Sequence, residues 1–170
     1  SASLVGSEMC IRDSNYGVLE VGMDKKGEID NLSKIIKPNV SVITNINYAH
    51  AKNFNNIKSI ALAKSEIIYN TRPKGYIVLN ADDRFFKLHK TIAFKKNLKV
   101  ISFGIKDQKS NICLKNIDRN GKYFLIKIEH NNLKKNFLIS NNFQSNIYNI
   151  LGAIAVMSIC LLYTSPSPRD

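Results

Sequence analysis

Ile57 to Asp83 reads IKSIALAKSEIIYNTRPKGYIVLNADD. Ile57, Ile60, Ala61, Ile67 and Ile68 recur with the period of a helix, which predicts an amphipathic helix over Ile57 to Tyr69. Asn55 or Asn56 supplies its N-cap. Gly75 to Leu79 (GYIVL) follows as a short apolar strand, and Asp82 opens a second long helix to Ala93. Working outward, Val40 to Thr44 (VSVIT) is a β-branched strand before the first helix, and Leu98 to Phe103 is a strand after the second. Further upstream, Tyr16 to Val21 (YGVLEV) reads as a strand, and Asp30 to Ile36 as a short helix stopped by Pro38. Strands alternating with helices, and strands that are nearly continuous apolar runs, describe a parallel sheet covered on both faces.

After Gly104 the pattern changes. Asn111 to Asp118, Lys122 to Glu129 and Leu133 to Ile139 predict three antiparallel strands, the first two joined through Arg119-Asn120-Gly121. A last helix starts near Ser145. The expected fold class is therefore α/β, a mostly parallel sheet flanked by helices, with a small antiparallel β subregion.

The two ends of the chain carry a different signal. Cys160 to Asp170 (CLLYTSPSPRD) can be back-translated so that its reverse complement, read in a shifted frame, gives LVGSEMCIRD, which is Leu4 to Asp13. That string resembles a sequencing-library adapter. Residues 1–14 and 159–170 are accordingly expected to be adapter-derived, and 15–158 to be part of one domain.

The net charge is +12. Its lysines are scattered, in no run longer than a pair, and Lys, Asn and Ile all have AT-rich codons. A basic nucleic-acid-binding module would instead cluster its lysines beside aromatic platforms, so no nucleic-acid partner is expected. Cys113 is the one cysteine outside the adapter-like ends. It supports neither a disulfide nor a cysteine metal site, and a cytoplasmic protein is expected. Ile147 to Leu162 is apolar but too short for a membrane span, and it contains Asn149.

Ligands of open parallel sheets bind beyond the carboxyl ends of the strands, so polar residues there are the candidates. Glu20 sits in an apolar strand, where a carboxylate is costly unless paired or metal-bound. Its plainer reading is an edge glutamate facing water. His50, in the loop after Val40 to Thr44, suits a metal or a phosphate, or is simply solvated. Lys64 lies within the apolar stripe of its helix. A buried amine needs a partner or gives up its proton, and a neutral lysine can take up carbon dioxide as a carbamate, an oxygen ligand matched to magnesium. The alternative is a lysine that snorkels past the helix edge. Asp82 and Asp83 read first as helix-capping residues. Asn146 and Asn149 share a face of the last helix and could read a base edge, or simply face water.

Four blocks together resemble the Mur ligases, the ATP-dependent enzymes that build the peptide of peptidoglycan: VLEVGMDKKGEI (18–29), KPNVSVITNINYAH (37–50), IALAKSEII (60–68) and VLNADD (78–83). The Gly-Glu-Ile after Glu20 is similar to the branch that adds D-alanyl-D-alanine. The resemblance implies the P-loop-type central domain of that family. It implies ATP and Mg2+ as cofactors, and Glu20, His50 and carbamylated Lys64 as the catalytic and metal-holding groups. It also implies that Asn149, with Asn146 beside it, contacts adenine. Ser145 stands where the family usually has His, which weakens that last assignment. The implied substrates are UDP-N-acetylmuramoyl-tripeptide and D-alanyl-D-alanine, joined through an acyl phosphate by a monomer. Sister ligases (the MurE-like type, folylpolyglutamate synthase, cyanophycin synthetase) share the ATPase core but differ after Glu20. No G-x-x-x-x-G-K-[ST] phosphate loop occurs in the chain, so the 170-residue polypeptide alone is expected to lack ligase activity.

Overall fold

The computed structural model describes residues 14–48, 53–121, 123–130, 133–139 and 144–164. In chain order the elements are α1 (Glu28–Ile36), β1 (Val40–Ile43), α2 (Ile57–Lys64), α3 (Glu66–Asn70), β2 (Tyr76–Asn80), α4 (Phe86–Lys95), β3 (Lys99–Gly104), β4 (Ile112–Asn120), β5 (Tyr123–His130), β6 (Leu133–Ile139) and α5 (Gln144–Thr164). They build a 6-stranded sheet in the order β1-β2-β3-β4-β5-β6. Neighbours from β1 to β4 are parallel, and β4, β5 and β6 are antiparallel. The mostly parallel sheet with an antiparallel subregion is what the strand and helix alternation predicts.

The junction between the two parts is a stagger. β3 meets β4 only through Phe103↔Ile112 and Gly104↔Cys113. Strand β4 therefore begins where β3 ends, and the chain need not travel back the length of the sheet. That is why the short segment 105–111 can join parallel strands, a connection that usually needs a longer crossover. The antiparallel strands then extend past the carboxyl end of the parallel ones.

Helices cover both faces. Ile77 and Leu79 of β2 point into a cluster with Ile29, Ile43, Ile60, Ile68 and Ala93, which belong to α1, β1, α2, α3 and α4. Val78 points the other way, among Phe103, Ile126, Ile128, Ile147 and Leu151, where α5 packs. All three β2 residues are essentially inaccessible. On α5 the buried positions Ile147, Leu151, Ala155 and Ile159 recur every four residues, which directs one stripe of the helix at the sheet.

Some expectations are corrected. Tyr16 to Val21 forms no strand. It is irregular, and Val18 is 93% exposed. A strand exists only through a partner's hydrogen bonds, and β1 is an edge of the sheet that no other described strand pairs. The segment still runs beside the sheet. Tyr16 Oη donates to the Cys160 carbonyl at 3.3 Å, while Met23 joins the buried cluster of Ile43 and Ile46. The single helix expected over Ile57 to Tyr69 is interrupted at Ser65, whose Oγ donates to the Leu62 carbonyl at 2.6 Å and tightens the turn. The helix expected from Asp82 starts at Phe86: Asp82 is engaged elsewhere, and Asp83 accepts from Phe85 N in the turn that leads into the helix. The β4–β5 turn lies one residue later than Asn120-Gly121. Asn120 pairs with Tyr123, and Gly121 takes the left-handed φ of 59°.

The Gly-Glu-Ile segment opens α1 in an uncommon way. Gly27 has a φ of 92°, a backbone state that a side chain disfavours, and α1 has no cap from its own N-cap residue. Instead the Glu66 carboxylate, from α3, accepts from Gly27 N at 3.0 and 3.1 Å and from Asp30 N at 3.0 Å. An anion is thus placed at a helix N-terminus from a distant part of the chain. Glu28 turns back to accept from Asp24 N and Lys25 N. Glu66→Ala is expected to lower stability by about 1–2 kcal/mol in urea denaturation, the usual size of a lost helix cap.

Candidate functional site

The carboxyl ends of β1 and β2 and the first turns of α5 converge on one edge of the sheet. Lys64 closes α2, half-buried, and its Nζ donates to the Asn45 carbonyl at 3.1 Å, just past the end of β1. Burial pushes its amine below the usual lysine range, and the nearby Asp83 carboxylate partly restores it. The sequence places this lysine in an apolar stripe. The structure keeps it partly buried and ties it to a main-chain carbonyl.

Asp83 holds the same loop from the other side. Its Oδ2 accepts from Ile46 N at 2.9 Å and its Oδ1 from Phe85 N at 2.8 Å. The carboxylate thus fastens the β1–α2 loop to the entry of α4. His89, on α4 and only 2% exposed, donates from Nε2 to the Ala61 carbonyl of α2 at 3.0 Å. Burial lowers the His89 pKa, opposed by that bond and by Asp83, so the ring is a neutral spacer between helices.

Asp82 does not cap α4, as its place after the strand suggests; its carboxylate serves another loop. Its Oδ2 accepts from Ile105 N at 2.7 Å, Lys106 N at 2.9 Å and Tyr148 Oη at 3.0 Å, and its Oδ1 from Asp107 N at 2.8 Å. Burial alone would raise this carboxyl, but the three amides and the phenol outweigh it and hold it below the usual carboxylate range. Tyr148 is pushed up to about 12 by burial and by its bond to Asp82. The pair places the first turns of α5 beside the end of β2. Asn146 and Asn149, one turn of that helix, are exposed there.

Of the residues expected to act together, Lys64 lies at this edge. Glu20 is exposed in the irregular segment that leads to Met23. His50 lies outside the described residues, so its position relative to Lys64 is not part of the described geometry. Among the described residues no three His, Cys, Asp or Glu side chains gather to hold a metal ion. The long-range roles of Asp82, Asp83, His89 and Tyr148 carry no signal in the sequence beyond the two aspartates that follow a strand.

Residues 3–157 match the Mur ligase middle domain family, a range that takes in most of the described sheet and helices. The chain belongs to the Mur ligase family. Its fold is that of the Mur ligase MurF from Acinetobacter baumannii, with a TM-score of 0.77 at 26% identity over 85% of this chain and 31% of the other. The MurF ligase of Thermotoga maritima, solved with ADP, has a TM-score of 0.74 at 24% identity, with 86% of this chain and 34% of that one covered. In sequence, the chain is 36% identical over 107 residues to the UDP-N-acetylmuramoyl-tripeptide--D-alanyl-D-alanine ligase of Buchnera aphidicola, across 62% of the chain. It spans 23% of that relative's length. Among the described residues, no helix of this Mur ligase domain is long and apolar enough to cross a membrane.

Proposed function

We propose that residues 15–158 are the central nucleotide-binding part of a cytoplasmic, monomeric ligase. It joins D-alanyl-D-alanine to UDP-N-acetylmuramoyl-tripeptide at the expense of ATP, through an acyl phosphate. The observation that carries this reading is Lys64, an amine half-buried at the carboxyl edge of a parallel sheet, with its proton affinity lowered and its Nζ on a main-chain carbonyl. The family match and the name of the Buchnera relative supply the reaction. The Thermotoga neighbour of the same fold was solved with ADP, in keeping with a nucleotide-binding domain.

The chemistry of the donors suits magnesium. A lysine whose proton affinity is lowered by burial can take up carbon dioxide, and the carbamate nitrogen would keep one N–H for the Asn45 carbonyl. Lys64 as carbamate, Glu20 and His50 would hold the metal. When bound, magnesium neutralises charge on the phosphate oxygens during transfer. Asn149, supported by Asn146, would contact the adenine from the exposed first turns of α5. Nothing in this reading calls for a nucleic-acid partner.

The test uses the full reading frame that contains residues 15–158. Phosphate release from ATP is expected only when UDP-N-acetylmuramoyl-tripeptide and D-alanyl-D-alanine are both supplied. Release driven instead by L-alanine with UDP-N-acetylmuramate, or by glutamate with a folate, would transfer the assignment to a sister ligase.

A further inference from the structure

We propose that the Tyr148–Asp82 hydrogen bond is a positioning latch that sets the axial register of α5 and so presents Asn149 to the nucleotide base. The proposal rests on the nucleotide-binding reading above and adds to it a residue that touches no substrate.

The helix α5 is held to the sheet by an apolar stripe that includes Ile147, Leu151 and Ala155. Apolar burial is non-directional. It fixes which side of α5 faces the sheet, but a stripe that repeats every turn resists axial sliding weakly. A hydrogen bond is directional and short-ranged, and it can fix the register. Tyr148 Oη reaches Asp82 Oδ2 at 3.0 Å and is the side chain by which α5 bonds to the end of β2.

Its acceptor is itself held firmly. Asp82 N donates to Asn80 Oδ1 at 3.0 Å, and the carboxylate gathers the amides of Ile105, Lys106 and Asp107. The loop that supplies those amides is braced by Ser110 Oγ to the Asp107 carbonyl at 2.7 Å and by Lys109 N to Asp107 Oδ1 at 2.9 Å. Gly104 admits this arrangement, because a Cβ there would lie 2.8 Å from Ser110 Oγ and 3.2 Å from Asp82 Oδ1. One carboxylate thus joins the end of β2, the β3–β4 loop and α5. Tyr148 directly precedes Asn149, so a shift of the phenol carries the amide with it.

The test is Tyr148→Phe in the full reading frame, which removes one oxygen and keeps the ring. The KM for ATP and the equilibrium Kd for ADP, measured by calorimetry, are expected to rise about tenfold, with kcat and the KM values of the other two substrates within about twofold. Discrimination between ATP and GTP should fall in parallel. In an Asn149→Ala background the same substitution should have little further effect on ADP binding, because the latch acts through that amide. Unchanged ADP affinity in Tyr148→Phe overturns the latch, and so does a full additional loss in the Asn149→Ala background. A lower melting temperature with ADP affinity unchanged also overturns it, by showing a purely structural bond. If the unaltered protein neither binds ADP nor turns over, the nucleotide-binding reading itself fails, which is a separate outcome.

Discussion

Lys64→Arg in the full-length protein is expected to reduce kcat at least a hundredfold while the protein stays folded. Arginine retains the positive charge and can still donate to the Asn45 carbonyl, so the loop after β1 keeps its anchor. Arginine is not deprotonated in proteins and cannot form a carbamate. The loss therefore isolates the oxygen ligand from the cation. Its size follows from removing a group that supports phosphoryl transfer electrostatically, typically a factor of ~10²–10³. Steady-state phosphate release measures the effect, and the thermal midpoint checks that folding is intact. A variant with near-normal turnover would show that the amine of Lys64 serves packing and nothing more.

The largest effect on stability is expected at Asp82. Asp82→Ala removes the acceptor of three backbone amides and of the Tyr148 hydroxyl. Hydrogen bonds to a charged group contribute about 1.5–3 kcal/mol each when buried. The site is only partly buried and water can replace some of the bonds, so a total loss of about 3 kcal/mol is expected, read by urea denaturation. Asp82→Asn should lose less, because its amide oxygen still accepts. The pH dependence follows from the direction of the shift. The folded carboxyl is held below its unfolded value, so its contribution is complete above about pH 4 and fades as the pH falls through the lower folded value. Acid unfolding of Asp82→Asn should lack this component. Stability of Asp82→Ala equal to the unaltered chain would remove Asp82 as the joint between the sheet end, the loop and α5.

Much of the architecture was legible because it is local. The runs VSVIT and GYIVL, and the helical spacing of Ile57, Ile60 and Ala61, place strands and helices within a few residues of β1, β2 and α2. The switch to antiparallel strands after Gly104 was visible in the hairpin signal at Asn120-Gly121. Tyr16 to Val21 misled because its apolar pattern states what it could bury, while a strand also needs a neighbour. Ser65 breaks a helix that periodicity alone would continue, through one hydroxyl bonded to the carbonyl of Leu62. In the candidate site, the sequence draws notice only where a single residue contradicts its surroundings. Lys64 does so, because a cation in an apolar stripe asks for an explanation. Glu66, Asp82, Asp83 and Tyr148 look ordinary in the sequence, since their partners lie far along the chain and only the folded sheet brings them together. The lysine that the apolar pattern singles out and the loop that Asp83 fastens meet at Asn45 and Ile46, a convergence that no linear spacing shows.

The most direct measurement is 13C NMR of the full-length protein equilibrated with 13C-bicarbonate. A carbamate carbonyl resonance is expected in the unaltered protein, absent from Lys64→Arg, and rising with bicarbonate in step with turnover. An active enzyme that shows no such resonance, or one that persists in Lys64→Arg, would contradict the role assigned to this lysine.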